Sequence, residues 1–301
     1  MGNLNLLICP LCKSNDNEFV SSYPGSFLSC KEIMRCQNCE LIFANKFPSK
    51  KELDKYYSTG LYYDKVSDPY NLEFKNFSLN LSRSRLNLIY SKIIINETPR
   101  VLDIGAGNAQ LGVVLSERYD MANYDVIEPD EKVTSKYGDW VKKRFSDISE
   151  LQIGNYDLVV MNQVLEHVFD PLDLLQSVYN LLTSEGYVYI DVPYHDYIFK
   201  SDAEPHILFW NQKSMFTVLD QTNYKVIFCD TSGMPHRIAK KFFKKESLIN
   251  KLINPWKYAH KFNSFMEKIG LPAVIDTFRQ FQSNKYGGDR QWLRCIAQKI
   301  K

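Results

Sequence analysis

Residues 100–112, Arg-Val-Leu-Asp-Ile-Gly-Ala-Gly-Asn-Ala-Gln-Leu-Gly, constrain the fold of this chain more than any other segment. An apolar run carrying one acid passes into a glycine-rich turn and then a helical pattern, which predicts a buried strand, a tight turn and a helix start. Gly105 and Gly107 let the backbone turn sharply and come close to a ligand. Twenty-one residues after Gly107, the apolar stretch Asp125-Val126-Ile127 ends at Glu128. An acid at that distance and at a strand end is where doubly wound α/β folds hold a ribose diol.

Further segments continue the alternation of short strands and helices. Residues 156–168 read as a strand and a helix entry, 186–193 as a strand, 171–182 as a helix, and 224–229 and 292–297 as two closing strands. Upstream, residues 71–95 predict an amphipathic helix with Leu79, Leu86, Ile89 and Ile93 on one face. Its Arg83 and Arg85 could reach a carboxylate ligand, with solvated arginines as the default reading. The Asp-x-Gly-x-Gly pattern at 103–107 resembles motif I of the class I S-adenosylmethionine-dependent methyltransferases rather than the G-x-G-x-x-G of dinucleotide dehydrogenases.

The likeness runs in order over residues 71–232 and implies an α/β fold, a doubly wound, seven-stranded Rossmann-like sheet whose last strand is antiparallel. It also implies S-adenosylmethionine as methyl donor. Asp103, Gly105, Gly107 and Glu128 would hold the donor, with Asp147 and Ile148 at the adenine and Asn162 at the helix entry over the methyl group. Ala109 stands where many members have a third glycine, which points to an effect on helix packing. Residues 238–282 form a helical pattern with basic pairs at Lys240-Lys241 and Lys244-Lys245, an insertion that could cover the substrate.

The N-terminal region carries a second constraint. Cys9-Pro10-Leu11-Cys12 and Cys36-Gln37-Asn38-Cys39 are two C-x-x-C pairs with 23 residues between them. Each pair can present two thiolates from one turn, and together they predict a closed tetrahedral sulfur site suited to structural zinc. Such a site replaces a core that so short a segment could hardly build alone. The other three of the seven cysteines, Cys30, Cys229 and Cys295, read as packing residues. The expected organisation is a zinc module over residues 1–46, a helical and tyrosine-rich connector over 47–98, and the main domain over 99–301. Ser49 is placed to cap a helix at the start of the connector. The tyrosines at 56, 57, 62, 63 and 70 suit either a lid over a polar ligand or packing between domains.

Charge and hydropathy narrow the partners. With 37 Lys+Arg against 35 Asp+Glu the chain has no polycationic excess, and residues 1–45 hold Lys13, Lys31 and Arg35 against Asp16, Glu18, Glu32 and Glu40. That balance argues against an RNA-binding surface. No stretch approaches the roughly 18–20 apolar residues that a membrane span requires. The N-terminus has no basic segment of the secretory type, so a cytoplasmic, reducing location is expected, which favours metal over disulfides at the paired cysteines.

Methyl transfer to a hydroxyl requires a base. His206, in Glu204-Pro205-His206 beyond the fifth strand, resembles a histidine of many small-molecule methyltransferases; it is the first candidate, with Glu204 to orient it, and His195 is the second. His167 lies in Leu165-Glu166-His167-Val168, a segment similar to quinol-precursor O-methyltransferases. Those enzymes bind a divalent cation with a carboxylate three residues before the Glu-His pair, where this chain has Gln163. His236 and His260 are expected to be solvated. A zinc module ahead of this domain is similar to sugar and polysaccharide-precursor methyltransferases and to a zinc-bearing ribosomal RNA group. The first includes C-methyltransferases of nucleotide-linked deoxysugars, which are usually longer by a further C-terminal domain, so the expectation here is O-methylation of a sugar or nucleotide-linked metabolite, with a homodimer open. The alternatives are the RNA enzyme and a noncatalytic S-adenosylmethionine-binding protein.

Overall fold

The computed structural model describes residues 8–26, 28–58, 72–119, 123–200, 202–236 and 289–300. The expected insertion at 238–282, its lysine pairs, His260, and the tyrosines at 62, 63 and 70 lie outside the described residues. Three strands, β1 (Asn17–Ser22), β2 (Glu32–Cys36) and β3 (Ile42–Asn45), form an antiparallel meander. Helix α1 (Lys50–Ser58) follows. Ser49 caps it as expected, its hydroxyl accepting from the Glu52 N–H while Glu52 accepts from the Ser49 N–H in return.

Helix α2 (Leu72–Lys92) leads into the large sheet. Its strands are β4 (Arg100–Ile104), β5 (Asn123–Ile127), β6 (Lys143–Phe145), β7 (Tyr156–Asn162), β8 (Leu182–Pro193), β10 (Tyr224–Pro235) and β11 (Arg290–Lys299). They lie in the order β10-β11-β8-β7-β4-β5-β6. β6, β5, β4, β7 and β8 are parallel, and β11 inserts antiparallel between β8 and β10. Helices α3 (Gln110–Arg118), α5 (Pro171–Leu181) and α6 (Gln212–Gln221), with the short α4 (Glu131–Thr134), complete the alternation. The expected seven-stranded sheet is present.

The central strands are apolar on both faces, as parallel strands covered on both sides must be. Leu102, Ile104, Val159, Met161, Ile190 and Val192 face α5, α6 and the N-terminal meander. Val101, Leu158, Val160 and Tyr189 alternate to the other face, where Leu86 and Ile89 of α2, and Ile93 just past its end, pack with Leu111 and Leu115 of α3. The predicted apolar stripe of α2 is thus in place.

The default of a solvated arginine holds for Arg83 and is corrected for Arg85. Arg85 is buried beneath α2, and its Nε donates to Asp191 Oδ2 at 2.8 Å, while Arg294 Nε reaches the same oxygen at 3.2 Å. Asp191 is fully buried, so this ion pair serves to dock α2 on the sheet; losing one partner of such a pair generally costs about 3–5 kcal/mol. Arg83 lies on the surface and pairs with Glu117.

The meander continues into the main domain. Strand β9 (Leu208–Phe209), from the main domain, pairs antiparallel with β3 and gives the small sheet the order β1-β2-β3-β9. Cys9, Cys36 and Cys39 share one buried core with Leu208, Phe209 and Trp210, and the half-buried Cys12 packs against it. Packing is therefore continuous across residue 46. Tyr56 is also fully buried there, with its hydroxyl donating to the Glu204 carbonyl, so at this position the tyrosine-rich stretch packs between the two parts.

Candidate active site

The donor side is built where β4, β5 and β7 end. Gly105 and Gly107 both adopt positive φ, at 66° and 50°. A Cβ on Gly105 would sit 2.7 Å from Val164 Cγ2, so this turn is closed to any side chain. Glu128 Oε2 accepts from the Gly107 N–H at 2.9 Å and Oε1 accepts from the Asp130 N–H at 3.1 Å. The carboxylate thus braces the glycine turn and keeps further lone pairs for a ligand. Tyr137, which the sequence reading did not single out, donates to the Gly107 carbonyl. Ala109 has φ 50° and is fully buried. Its departure from glycine bears on the backbone rather than on helix packing, at a cost of about 1 kcal/mol for a left-handed non-glycine residue.

Asp103 is 2 % exposed. Tyr124 donates to its Oδ2 at 2.6 Å, whereas Oδ1 has no hydrogen-bond partner among the described residues. Burial raises the Asp103 pKa to about 7, against the opposing pull of the Tyr124 hydroxyl and the Arg85 guanidinium. Asn162 Oδ1, at the end of β7, is likewise buried without a partner. Two orphaned acceptors beside a turn closed to side chains fit a donor bearing an ammonium group and a diol. Asp147 lies exposed after β6 and caps the turn at 148–150 by accepting from Ser149, with Ile148 half-buried beside it.

The acceptor side follows β8. A single turn at Asp196–Ile198 begins after His195, itself left-handed at φ 50°. Asp196 is fully buried, and its Oδ2 lies 2.8 Å from both His206 Nδ1 and Lys200 Nζ. Burial raises the Asp196 pKa, but Lys200 and His206 outweigh it and hold the carboxyl well below its usual range. An ionised carboxylate only accepts, so His206 Nδ1 must carry a proton. Burial lowers the His206 pKa, Asp196 opposing, so the ring is neutral and Nε2 keeps its lone pair. The side chain retains 11 % exposure. Asp196 therefore orients His206. Glu204, expected in that role, instead accepts from the Leu28 N–H at 2.7 Å.

His167 lies edge-on to His206, with ring centroids 4.9 Å apart. Burial and the His206 ring lower its pKa to about 3. Glu166 is 1 % exposed, has neither oxygen hydrogen-bonded among the described residues, and is pushed well above the carboxylate range by burial. Glu166, His167 and His206 each offer a ligand atom within 4.8 Å of the others. Gln163 donates its amide N–H to the Asp191 carbonyl at 3.2 Å. His195 stacks on Tyr194 at 4.3 Å, and burial lowers its pKa to about 4. His236 is 9 % exposed and packs on Tyr194 and Phe199, which corrects the expectation that it is solvated: β10 runs on to Pro235 and carries it into the core.

At the N-terminus the four sulfurs of Cys9, Cys12, Cys36 and Cys39 lie within 4.8 Å of one another, with Cys9–Cys39 at 3.6 Å and Cys12–Cys36 at 3.4 Å. Tetrahedral zinc with Zn–S bonds of about 2.3 Å sets sulfurs about 3.8 Å apart, so the cluster could hold a metal ion. The two turns are alike: Lys13 N–H donates to the Cys9 carbonyl and Glu40 N–H to the Cys36 carbonyl, with Lys13 and Glu40 both left-handed.

The Asp103 pKa makes a prediction. A carboxyl raised on folding holds its proton in the native state between about pH 4 and pH 7, where the unfolded chain has lost it, so its contribution to stability falls as pH rises through that window. Asn lacks this dependence. Denaturation at about pH 5 and about pH 8 should show Asp103→Asn gaining on the parent by a few kcal/mol at the higher pH. An equal difference at both would contradict the buried, protonated state.

Comparison with known proteins agrees with this architecture. Residues 80–229 match a methyltransferase-domain family. Over 118 residues the chain is 28% identical to the ubiquinone biosynthesis O-methyltransferase of Vibrio campbellii, covering 35% of this chain and 48% of that protein, about half its length. Among solved structures, a candidate sarcosine dimethylglycine methyltransferase from Galdieria sulphuraria aligns with TM-score 0.50 at 13% identity, over 75% of this chain and 88% of that one. A methyltransferase from Archaeoglobus fulgidus dependent on S-adenosylmethionine aligns with TM-score 0.47 at 19% identity, over 73% and 94%. The chain thus has the class I S-adenosylmethionine-dependent methyltransferase fold, with its methyltransferase domain matched over residues 80–229.

Proposed function

We propose that this protein transfers a methyl group from S-adenosylmethionine to a hydroxyl of a small polar acceptor, a sugar or nucleotide-linked metabolite, with His206 as general base. The observation that carries the reading is the Asp196–His206 pair, 2.8 Å apart and buried close to the donor turn. A neutral imidazole with its Nδ1 proton committed to a carboxylate is poised to accept a proton at Nε2. The donor supplies an electrophilic methyl carbon on a sulfonium sulfur. Asp103, Glu128 and Asn162 would bind its polar groups, the Gly105–Gly107 turn admits it closely, and Asp147 and Ile148 flank the adenine. Asp196 stabilises the charged imidazolium once His206 has taken the acceptor proton. O-methylation is also the activity of the Vibrio campbellii relative. The sugar class rests on the resemblance of a zinc module joined to this domain, and on a module whose charges do not suit RNA. His195, next to Asp196 and half-buried, is the second candidate base.

To test this, labelled donor is incubated with nucleotide sugars or with undermodified ribosomal RNA. Label is expected in the sugars. His206→Ala should lower turnover by about 100-fold or more, the scale of a lost general base, and leave donor affinity unchanged. Label in RNA alone would refute the acceptor class, and full turnover by His206→Ala would refute the base.

We further propose that the four paired cysteines hold one structural zinc, since four thiolates close the coordination sphere. Mass spectrometry under native conditions should find one zinc per chain, and Cys36→Ser should lose it together with a large part of the thermal stability. A metal-free wild type of unchanged stability would overturn this.

A further inference from the structure

The segment that bears His206 is held mainly by the N-terminal module. Ala203 N–H donates to the Pro24 carbonyl at 2.7 Å, and Ala44 N–H donates to the Ile207 carbonyl at 2.8 Å. Tyr23 is 5 % exposed, and its hydroxyl donates to the carbonyl of His206 itself at 2.9 Å. Glu204 reaches back into the module and accepts from the Leu28 N–H. Gly25 makes room for that side chain: a Cβ there would lie 2.4 Å from Glu204 Cγ. On the opposite flank, toward the donor side, Ile207 N–H donates to the Glu166 carbonyl at 2.9 Å.

We propose that Tyr23, Gly25 and Glu204 are positioning residues of the acceptor site, through which the N-terminal module sets the orientation of the His206 ring against Asp196. Among the described residues no hydrogen bond joins the module to Gly105, Gly107, Glu128 or Asn162, so its influence falls on the acceptor half and not on the donor half. This rests on the reading of His206 as the base only for its consequence in turnover; the placement of the ring is a separate matter. The residues lie about 180 positions apart in the chain, and the hydrogen bonds that join them are buried, where each lost bond leaves an unpaired partner.

The test is nuclear magnetic resonance on the full-length protein, observing the His206 Nδ1 proton, which a hydrogen bond to a buried carboxylate moves far downfield and which is assigned by its loss in His206→Phe. Glu204→Ala and Gly25→Ala are each expected to shift this resonance and to speed its exchange with solvent about fivefold or more, the scale of one lost hydrogen bond. Glu204→Gln keeps an acceptor for Leu28 N–H and should restore the wild-type signal. Tyr23→Phe, which preserves volume, should behave like Glu204→Ala and carries the test if Gly25→Ala does not fold. Calorimetry with S-adenosylmethionine should give wild-type affinity within about twofold throughout. An unmoved resonance in Glu204→Ala and Tyr23→Phe would overturn the proposal, as would a parallel loss of donor affinity, which would mark a general structural effect. Because no arm uses turnover, a failed base assignment shows up separately, as activity retained in His206→Ala.

Discussion

Ile207 uses both of its main-chain groups to join parts of the molecule that are distant in sequence. Its N–H donates to Glu166 at the end of the donor-side turn, and its carbonyl accepts from Ala44 in the N-terminal meander. The next two residues pair with β3 and complete the small sheet. Fully buried, Ile207 has no water to satisfy these groups, so both bonds must form wherever the native state forms. The meander, the acceptor segment and the segment after β7 are thereby held in register with one another.

From this constraint the chemistry of the site follows. The acceptor segment presents His206 to Asp196, which comes from the turn after β8, and the same segment packs His206 on His167, which follows β7. Residue 164, in the turn between β7 and His167, lies against Gly105. A short chain of contacts thus runs from the glycine turn through Val164 and His167 to His206. Burial along this path discharges the titratable groups: His167 and His206 are neutral and Glu166 is protonated, while Asp196 stays ionised because Lys200 and His206 both face it. One negative charge, placed behind a neutral imidazole, is the arrangement that favours proton abstraction.

Much of the donor side was legible in the sequence because its signals are local. Asp103, Gly105 and Gly107 stand within five residues, Glu128 follows at a distance set by one helix and one strand, and the C-x-x-C pairs need only a turn each. On the acceptor side the sequence offers His206 as a candidate but not its partner. Asp196 lies ten residues before His206 with no motif between them, and only the return of the chain after β8 brings the two together. Glu204 looked like the orienting acid because it is two residues away, yet its side chain points to the module. Tyr124 and Tyr137, which bond to Asp103 and the Gly107 carbonyl, resemble ordinary core tyrosines in the sequence. Arg85 and His236 were misjudged for a common reason: a polar residue in a helix or late strand reads as solvated until its tertiary partners, Asp191 for one and Tyr194 and Phe199 for the other, are known.

The central claim is that the turn at residue 105 and the acids at 103 and 128 form a working site for S-adenosylmethionine. Isothermal titration of the full-length protein with that compound tests it most directly, with Gly105→Arg alongside. The account predicts saturable binding of one donor per chain by the wild type and its loss in the variant, whose side chain would have to enter the space taken by Val164 at a positive φ. No heat of binding in the wild type, or equal affinity in Gly105→Arg, would contradict it.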